Sequence, residues 1–226
     1  MIQAIITSIL WAMSAVSAGR STRLLGAGTA NLSRLTIAAV LLAFWSHIWG
    51  QGLTGVGLPW LILSGLIGFG LGDMALYGAY YRIGPRLAVL LCLCLAAPLG
   101  AIVEWVWMGT HLTAYQIFWS TTILVGVFAA LAPDARMPVT RRVWRMGILM
   151  GVFAAFGQGF GAVFTRKAFD LAERAGQSLD GGTAAYQRII GGLSLTAVVL
   201  FLHRLRKPSV PKEPTAPQDH PWRRAW

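Results

Sequence analysis

The chain has 226 residues, of which 56% are hydrophobic and only 12% are charged, and its mean hydropathy is +0.61. A soluble domain carries about 25% charged residues, so this composition excludes an ordinary soluble protein. It predicts a membrane protein, whose partner is the lipid bilayer. The formal net charge is +11, but the cations are concentrated in connectors and near the C-terminus, a pattern typical of interfacial anchoring. No nucleic-acid partner is therefore expected.

Seven apolar runs follow one another along the chain and predict an all-α fold, a polytopic transmembrane helical bundle. Each is about as long as a helix that crosses a hydrocarbon core of about 30 Å. The predicted spans are 2–19, 30–49, 58–81, 86–109, 114–132, 144–168 and 184–203.

The third and fourth runs are joined by the short segment Arg82–Arg86, which contains Gly84 and Pro85. This segment is too short to be a domain linker. We therefore expect the two runs to form an antiparallel helical pair.

An internal repeat is indicated by two similar segments, one near the start of the chain and one near its end. Arg34 and Arg188 each lie near the start of a helical run that is otherwise free of charge. This correspondence predicts a first five-helix repeat over 1–132 and two helices of a second repeat over 133–203, followed by a disordered basic and proline-rich tail over 204–226. We expect a ten-helix protein truncated before its eighth helix.

A set of short motifs follows the predicted spans in order. They are Ser64–Asp73, Ala79–Arg86, Leu95–Pro98, Trp107–Gly109, Leu112–Thr113, Gly126–Val127, Phe156–Val163 and Arg166–Ala168. Together they resemble the EamA-type transporters of the drug/metabolite transporter superfamily. The resemblance implies ten helices in two inverted repeats, a substrate cavity between the repeats and the export of small metabolites. One departure is that Gly109 precedes Thr110, where the family usually has a glutamate.

Two polar side chains inside apolar runs are the first candidates for a substrate or ion pathway. Asp73 could bind a proton or a cationic substrate group, or it could be a packing acid bonded to a hydroxyl or an arginine, because an intramembrane acid needs a partner. Gln158, which glycines flank, could donate hydrogen bonds in a cavity or bridge helices.

Four further candidates for the pathway carry weaker signals. Arg34 and Arg188 could snorkel to the interface, neutralise an anionic substrate group or pair with Asp73. Glu104 lies near a helix end and could also be an interfacial charge, whereas Ser14 could contact substrate or take part in packing.

Small residues and one proline are candidates for helix packing and gating. In the third run Ser64, Gly68 and Gly72 recur at every fourth residue, a spacing that lets helix backbones approach closely in a membrane. Pro98 is expected to kink the fourth helix. Gly157 and Gly161 belong to the same packing set.

These features predict a permease: an integral membrane secondary transporter that moves a small organic metabolite by gradient-driven alternating access. No phosphate-binding loop, metal-ligand spacing or nucleophile–base pair stands out, so neither an enzyme nor a cofactor is predicted. The alternative is a transport-incompetent truncated bundle or an assembly partner of another membrane protein. The expected location is a bacterial inner (plasma) membrane, and the sequence is compatible with a homodimer.

The distribution of cations gives an orientation that conflicts with the family resemblance. Connectors after odd-numbered runs carry most of the arginines, so the positive-inside rule places the N-terminus outside. The resemblance implies that the N-terminus lies inside, and both orientations stay open.

Overall fold

The computed structural model describes residues 2–131 and 140–206, and in these ranges the chain forms helices joined by short turns. A π-helical segment, Leu66–Gly72, joins the third helix to the fourth. The helices are α1 (Ile2–Leu25), α2 (Ala27–Ile48), α3 (Leu58–Gly65), α4 (Asp73–Met108), α5 (Ala114–Leu131), α6 (Arg141–Arg174) and α7 (Gly181–Arg206).

Four helical stretches in the described ranges are long and apolar enough to cross a membrane. They are Ala27–Ile48, Leu58–Met108, Arg141–Arg174 and Gly181–Leu205, and a shorter apolar helix covers Ala114–Ala129. The all-α fold is thus confirmed, and the helices indicate a multi-pass membrane protein. The count of seven spans and the ten-helix architecture stay predictions.

The stretch Leu58–Met108 does not run straight, because the backbone reverses inside α4. Gly84 has φ 78° and ψ 161°, a conformation that glycine adopts readily and other residues rarely do. Pro85 follows and begins the next helical arm without an N–H that would need an acceptor. The turn lies within Arg82–Arg86, the short segment predicted to join the two antiparallel runs. Below, residues 58–83 are called the first arm and residues 85–108 the second arm.

The helix α6 runs antiparallel to the first arm. Near the start of α6, Gly147 packs against Ile83, at the end of that arm. Further along, Gly161 packs against Gly68, so that a Cβ at Gly161 would lie 3.3 Å from the Cα of Gly68. As the residue number rises along α6, the residue it contacts on the first arm has a lower number, so the two helices run in opposite directions.

Along the second arm the order is reversed. Gly151 packs on Leu91, and a Cβ at Gly159 would lie 3.2 Å from the backbone nitrogen of Gly100. The helix α6 is thus parallel to the second arm and antiparallel to the first. The two arms are opposed to each other, which confirms the predicted antiparallel pair.

The helices α2 and α7, which carry the two repeated arginines, are also antiparallel. The hydroxyl groups of Ser46 and Thr183 lie 3.2 Å apart, which joins the end of α2 to the start of α7. At the opposite end Gly28 packs against Leu200. Opposed directions are what an inverted repeat requires of its corresponding helices.

Several helices are longer than the apolar runs predicted. The helix α1 continues to Leu25, α6 covers Arg141–Arg174, and α7 continues to Arg206, so residues 204–206 are helical and do not belong to the predicted tail. The last turns of α1 and α6 contain Arg23 and Arg174, and a cation there stabilises the helix dipole. The apolar runs end before these cations, which is why hydropathy placed the ends too early. The predictions for residues 132–139 and 207–226 lie outside the described residues.

A candidate charged pocket in the helix bundle

The π-helical segment positions the acid at the centre of the candidate site. Its sequence, LIGFGLG, contains three glycines, and the N–H of Asp73 donates to the carbonyl of Gly68, five residues earlier. Single turns of π-helix occur frequently at functional sites in proteins. Asp73 is the first residue after this segment and is only 4% exposed.

Two helices supply partners for the Asp73 carboxylate. From α2, Nη2 of Arg34 donates to Oδ2 of Asp73, and from α6, Nε2 of Gln158 donates to Oδ1 at 2.7 Å. Of the alternatives that the sequence left open for Arg34, the structure shows the pairing with Asp73. Gln158 both bridges two helices and donates a hydrogen bond beside the pocket described next.

A pocket of about 100 Å³ lies against this ion pair. Four of the six predicted pathway residues line it, namely Ser14, Arg34, Asp73 and Gln158. The remaining lining residues are Trp11, Ala15, Ala18, Phe69, Leu76, Tyr77 and Tyr80. The pocket thus combines a cation, a carboxylate, an amide and hydroxyl groups with aromatic walls.

Arg188, the second repeated arginine, lies beside the pocket behind the ring of Phe69. Its guanidinium carbon is 4.5 Å from the centre of that ring, and that of Arg34 is 5.8 Å from the same centre. Such distances allow cation–π attraction. Within the described ranges Arg188 makes no hydrogen bond or ion pair, and its Nε is buried without an acceptor. Two arginines and Asp73 leave the cluster with one net positive charge.

Glu104, the sixth predicted pathway residue, does not join this cluster. Its Oε2 accepts a hydrogen bond from Nη1 of Arg166 at 2.6 Å, so the second arm of α4 is linked to α6. The carboxylate therefore has a cation partner in α6, whereas the sequence offered the choice between the pathway and the lipid headgroups.

The predicted small-residue face packs against α6. The hydroxyl of Ser64 donates to the carbonyl of Gly161 at 2.6 Å, and a Cβ at Gly157 would lie 2.6 Å from the Cα of Gly72. Gly68 faces Gly161 in the same crossing. The spacing of small residues thus predicted a real close approach, and this approach brings Gln158 next to Asp73.

Pro98 lies inside the second arm, where it was expected to kink the helix. Within α4 the dihedral angles leave the helical region at Gly84 and remain helical at Pro98. The main change of direction in α4 is therefore the reversal before Pro85. A gating role for Pro98 stays a prediction.

A second, larger and mostly apolar pocket adjoins the charged one. It measures about 500 Å³ and lies between α1 and the second arm of α4. Trp11 and Ala15 line both pockets, so the two spaces share a wall. The other lining residues are Thr7, Ser8, Ala12, Val16, Pro85, Arg86, Val89 and Leu93.

Sequence reasoning missed the aromatic residues and the amide around the charged pair. Tyr77 and Tyr80 follow Asp73 by four and seven residues, a spacing that places all three on one helix face and could have signalled the site. Phe69 and Asn31 gave no such signal. Phe69 was hidden in an apolar run, and the buried Asn31 joins the cluster by accepting from Nη2 of Arg34 at 3.3 Å.

The described residues contain no group of three or more His, Cys, Asp or Glu side chains that could hold a metal ion. The chain was compared with known families, characterised proteins and solved structures, and no family profile, protein or structure matches it.

Proposed function

We propose that this chain is an integral membrane secondary transporter of the EamA type, which moves a small organic metabolite by gradient-driven alternating access. The observation that carries the proposal is the pocket lined by Asp73, Arg34 and Gln158 inside a bundle of apolar helices. Ionisable residues within membrane helices are costly, face the bundle interior and mark substrate or ion pathways. A purely structural ion pair would not need a polar pocket beside it.

The arrangement of α2 and α7 supports the same proposal. They are antiparallel, and each presents an arginine to the ring of Phe69. In transporters built from inverted repeats, binding sites lie near the bilayer midplane between corresponding helices. Arg34 and Arg188 each lie about a third of the way along their helices, and because the helices run in opposite directions the two arginines lie on either side of the middle of the bundle, both within reach of the ring of Phe69.

The first test is transport by the full chain in proteoliposomes. We expect uptake of at least one compound from a panel of labelled carboxylates, amines, amino acids, sugars and nucleosides under an imposed proton or sodium gradient. The Asp73→Asn variant should lose most of this flux, by about tenfold or more, because the pocket then lacks its titratable group. Membrane insertion of the variant should equal that of the wild type.

The matched control is Arg174→Gln, which removes an arginine that pairs with Asp170 at the end of α6, outside the pocket. It should keep the wild-type flux. Equal flux in Asp73→Asn and wild type would remove Asp73 from the pathway. No flux for any compound, in correctly inserted protein, would favour the transport-incompetent bundle.

A further inference from the structure

From the imbalance of charges and hydrogen-bond donors around Phe69, we infer that the pocket binds the carboxylate group of a monoanionic organic ligand, with Arg34 as its direct partner. This inference rests on the proposed function and narrows its substrate class.

The first observation is an excess of donors. Three nitrogens in this cluster are buried and have no acceptor within the described part of the chain: Nδ2 of Asn31, Nε of Arg34 and Nε of Arg188. A buried donor without a partner costs about 1–3 kcal/mol, and more if it is charged. Of these three residues only Arg34 lines the pocket, so a ligand bound there would meet the Arg34 guanidinium, which favours a ligand that brings acceptor oxygens and no donors.

The second observation is the charge. Arg34 and Arg188 contribute two positive charges, and Asp73 contributes one negative charge. A monoanion makes the cluster neutral. A neutral ligand leaves one cation unbalanced, and a doubly charged phosphate leaves an excess of negative charge. In a region of low dielectric constant these imbalances are costly, so a monocarboxylate fits best.

The third observation is the shape of the space. The charged pocket, at about 100 Å³, has room for about three waters, which suits a carboxylate group but not a whole metabolite. The adjoining apolar pocket of about 500 Å³ is separated from it by the side chains of Trp11 and Ala15, which line both, and an aliphatic or aromatic body would have to extend past these two side chains to occupy it. The ligand class is therefore a monocarboxylate with an apolar substituent.

Binding would redistribute the partners of Asp73. An incoming carboxylate competes with Asp73 for Arg34, which lines the pocket. Asp73 can then turn towards Arg188, the nearby guanidinium that lacks an acceptor among the described residues. Because Arg188 belongs to α7 and Asp73 follows the π-helical segment, this exchange would couple ligand binding to the contact between the two repeats.

The test measures equilibrium binding by calorimetry, with the full chain in nanodiscs of neutral phosphatidylcholine. The probes are acetate, hexanoate and benzoate, each paired with its primary amide as an uncharged control. We expect hexanoate or benzoate to bind at least about tenfold more tightly than its amide, and more tightly than acetate. No binding of any of the three acids, or equal binding of acid and amide, would overturn the inference.

Two substitutions should change the affinity in opposite directions. Arg188→Gln should weaken carboxylate binding by about tenfold, with Arg188→Lys intermediate, because Asp73 then lacks the second guanidinium to which it would turn when the ligand takes Arg34. Asp73→Asn should strengthen it, because a competing carboxylate is removed from Arg34. The control Arg174→Gln should bind like the wild type. Weaker binding of the acids by Asp73→Asn would show that Asp73 supports their binding and does not compete with them for Arg34, which would contradict the inference.

Two further arms separate other sources of an anionic group. Inorganic phosphate should compete poorly with the acids for the site. The protein in nanodiscs that contain phosphatidylglycerol should bind the acids as tightly as it does in neutral nanodiscs. Strong competition by phosphate would reassign the site to phosphate, and strong competition by phosphatidylglycerol would reassign it to a lipid headgroup. Carboxylate binding without flux would support the carboxylate site and count against the proposed transport. Flux of an amine or a sugar without carboxylate binding would support transport and contradict the carboxylate site.

Discussion

Asp180 shows how one side chain outside the membrane-spanning segments organises two connectors. It precedes α7 and caps it: Oδ1 accepts from the N–H of Thr183 and from Nε1 of Trp45, both at 3.0 Å, and Oδ2 accepts from the Thr183 hydroxyl at 2.5 Å. Partial burial alone would raise the pKa of this carboxyl. The hydrogen bonds from Thr183, Trp45 and Gly182 outweigh that effect and hold the pKa of Asp180 below its ordinary value.

The lowered pKa of Asp180 predicts a stability that depends on pH. Because the pKa is lower in the folded than in the unfolded state, where it is about 3.9, the ionised carboxylate stabilises the fold above that value, and the contribution is lost as the pH falls through the folded pKa. Asp180→Asn should remove this part of the acid sensitivity while it keeps a cap. Asp180→Ala should in addition destabilise the protein by about 1 kcal/mol at pH 7 through loss of the N-cap.

The measurement is the thermal midpoint of the purified protein in detergent from pH 7 down to pH 3. If wild type and Asp180→Asn lose stability in parallel over this range, Asp180 makes no pH-dependent contribution.

Among helices, the crossing of the first arm with α6 determines the geometry of the charged pocket. Ser64, Gly68 and Gly72 lie on the face that meets α6, where Gly157 and Gly161 allow the backbones to touch. Because Gln158 follows Gly157 directly, the close contact fixes the distance from its amide to the Asp73 carboxylate. The sequence revealed the small-residue spacing on the first arm but not which helix would pack against that face.

A methyl group at this crossing should separate the two helices. In Gly157→Ala the new Cβ would lie 2.6 Å from the Cα of Gly72, which is backbone and cannot rotate away. We expect a loss of about 1–3 kcal/mol in stability, measured as a lower thermal midpoint in detergent. The matched control is Gly126→Ala in α5, where no atom lies within 4 Å of the new Cβ, so the midpoint should be equal or higher.

Equal midpoints for Gly157→Ala and wild type would show that the crossing relaxes without cost. In that case the distance between Gln158 and Asp73 would not depend on this contact.

Across the whole molecule, side-chain hydrogen bonds join the connector after α2 to the connector before α7 and to the first turns of α7 itself. The amide of Gln51 donates to the carbonyl of Ser178 at 2.5 Å, and that of Gln187 donates to the carbonyls of Gly52 and Thr54 at 2.9 and 3.0 Å. These bonds hold one end of α2 and α7 together, on the side opposite to the reversal at Gly84. The charged pocket lies between the two ends.

This arrangement predicts which positions share a side of the membrane. In a background without Cys92 and Cys94, single cysteines at Thr54 and Gln177 should react with a membrane-impermeant maleimide from the same side, because their connectors touch. A cysteine at Leu24, which is 82% exposed and lies in the last turn of α1, next to the start of α2, should react from the opposite side. Labelling of all three from one side would show that α2 does not cross the bilayer.

What the sequence determined by itself was the chemistry of each helix and the presence of charges where they are costly. Hydropathy identified the helical runs, Gly84 and Pro85 identified the reversal, and four of the six candidate pathway residues line one pocket. Those signals are local, since they depend on composition and on spacing along a single helix. The sequence left open the partner of each charge, because side chains more than 30 residues apart meet only when helices pack.

Only the tertiary structure decided that Arg34 pairs with Asp73, that Arg188 lies against Phe69 without an acceptor in the described ranges, and that Glu104 belongs to a separate ion pair. The two repeated arginines look equivalent in sequence and differ in the fold. The physical reason is that the cluster contains one carboxylate for two arginines, and this carboxylate bonds to Arg34 on one oxygen and to Gln158 of α6 on the other.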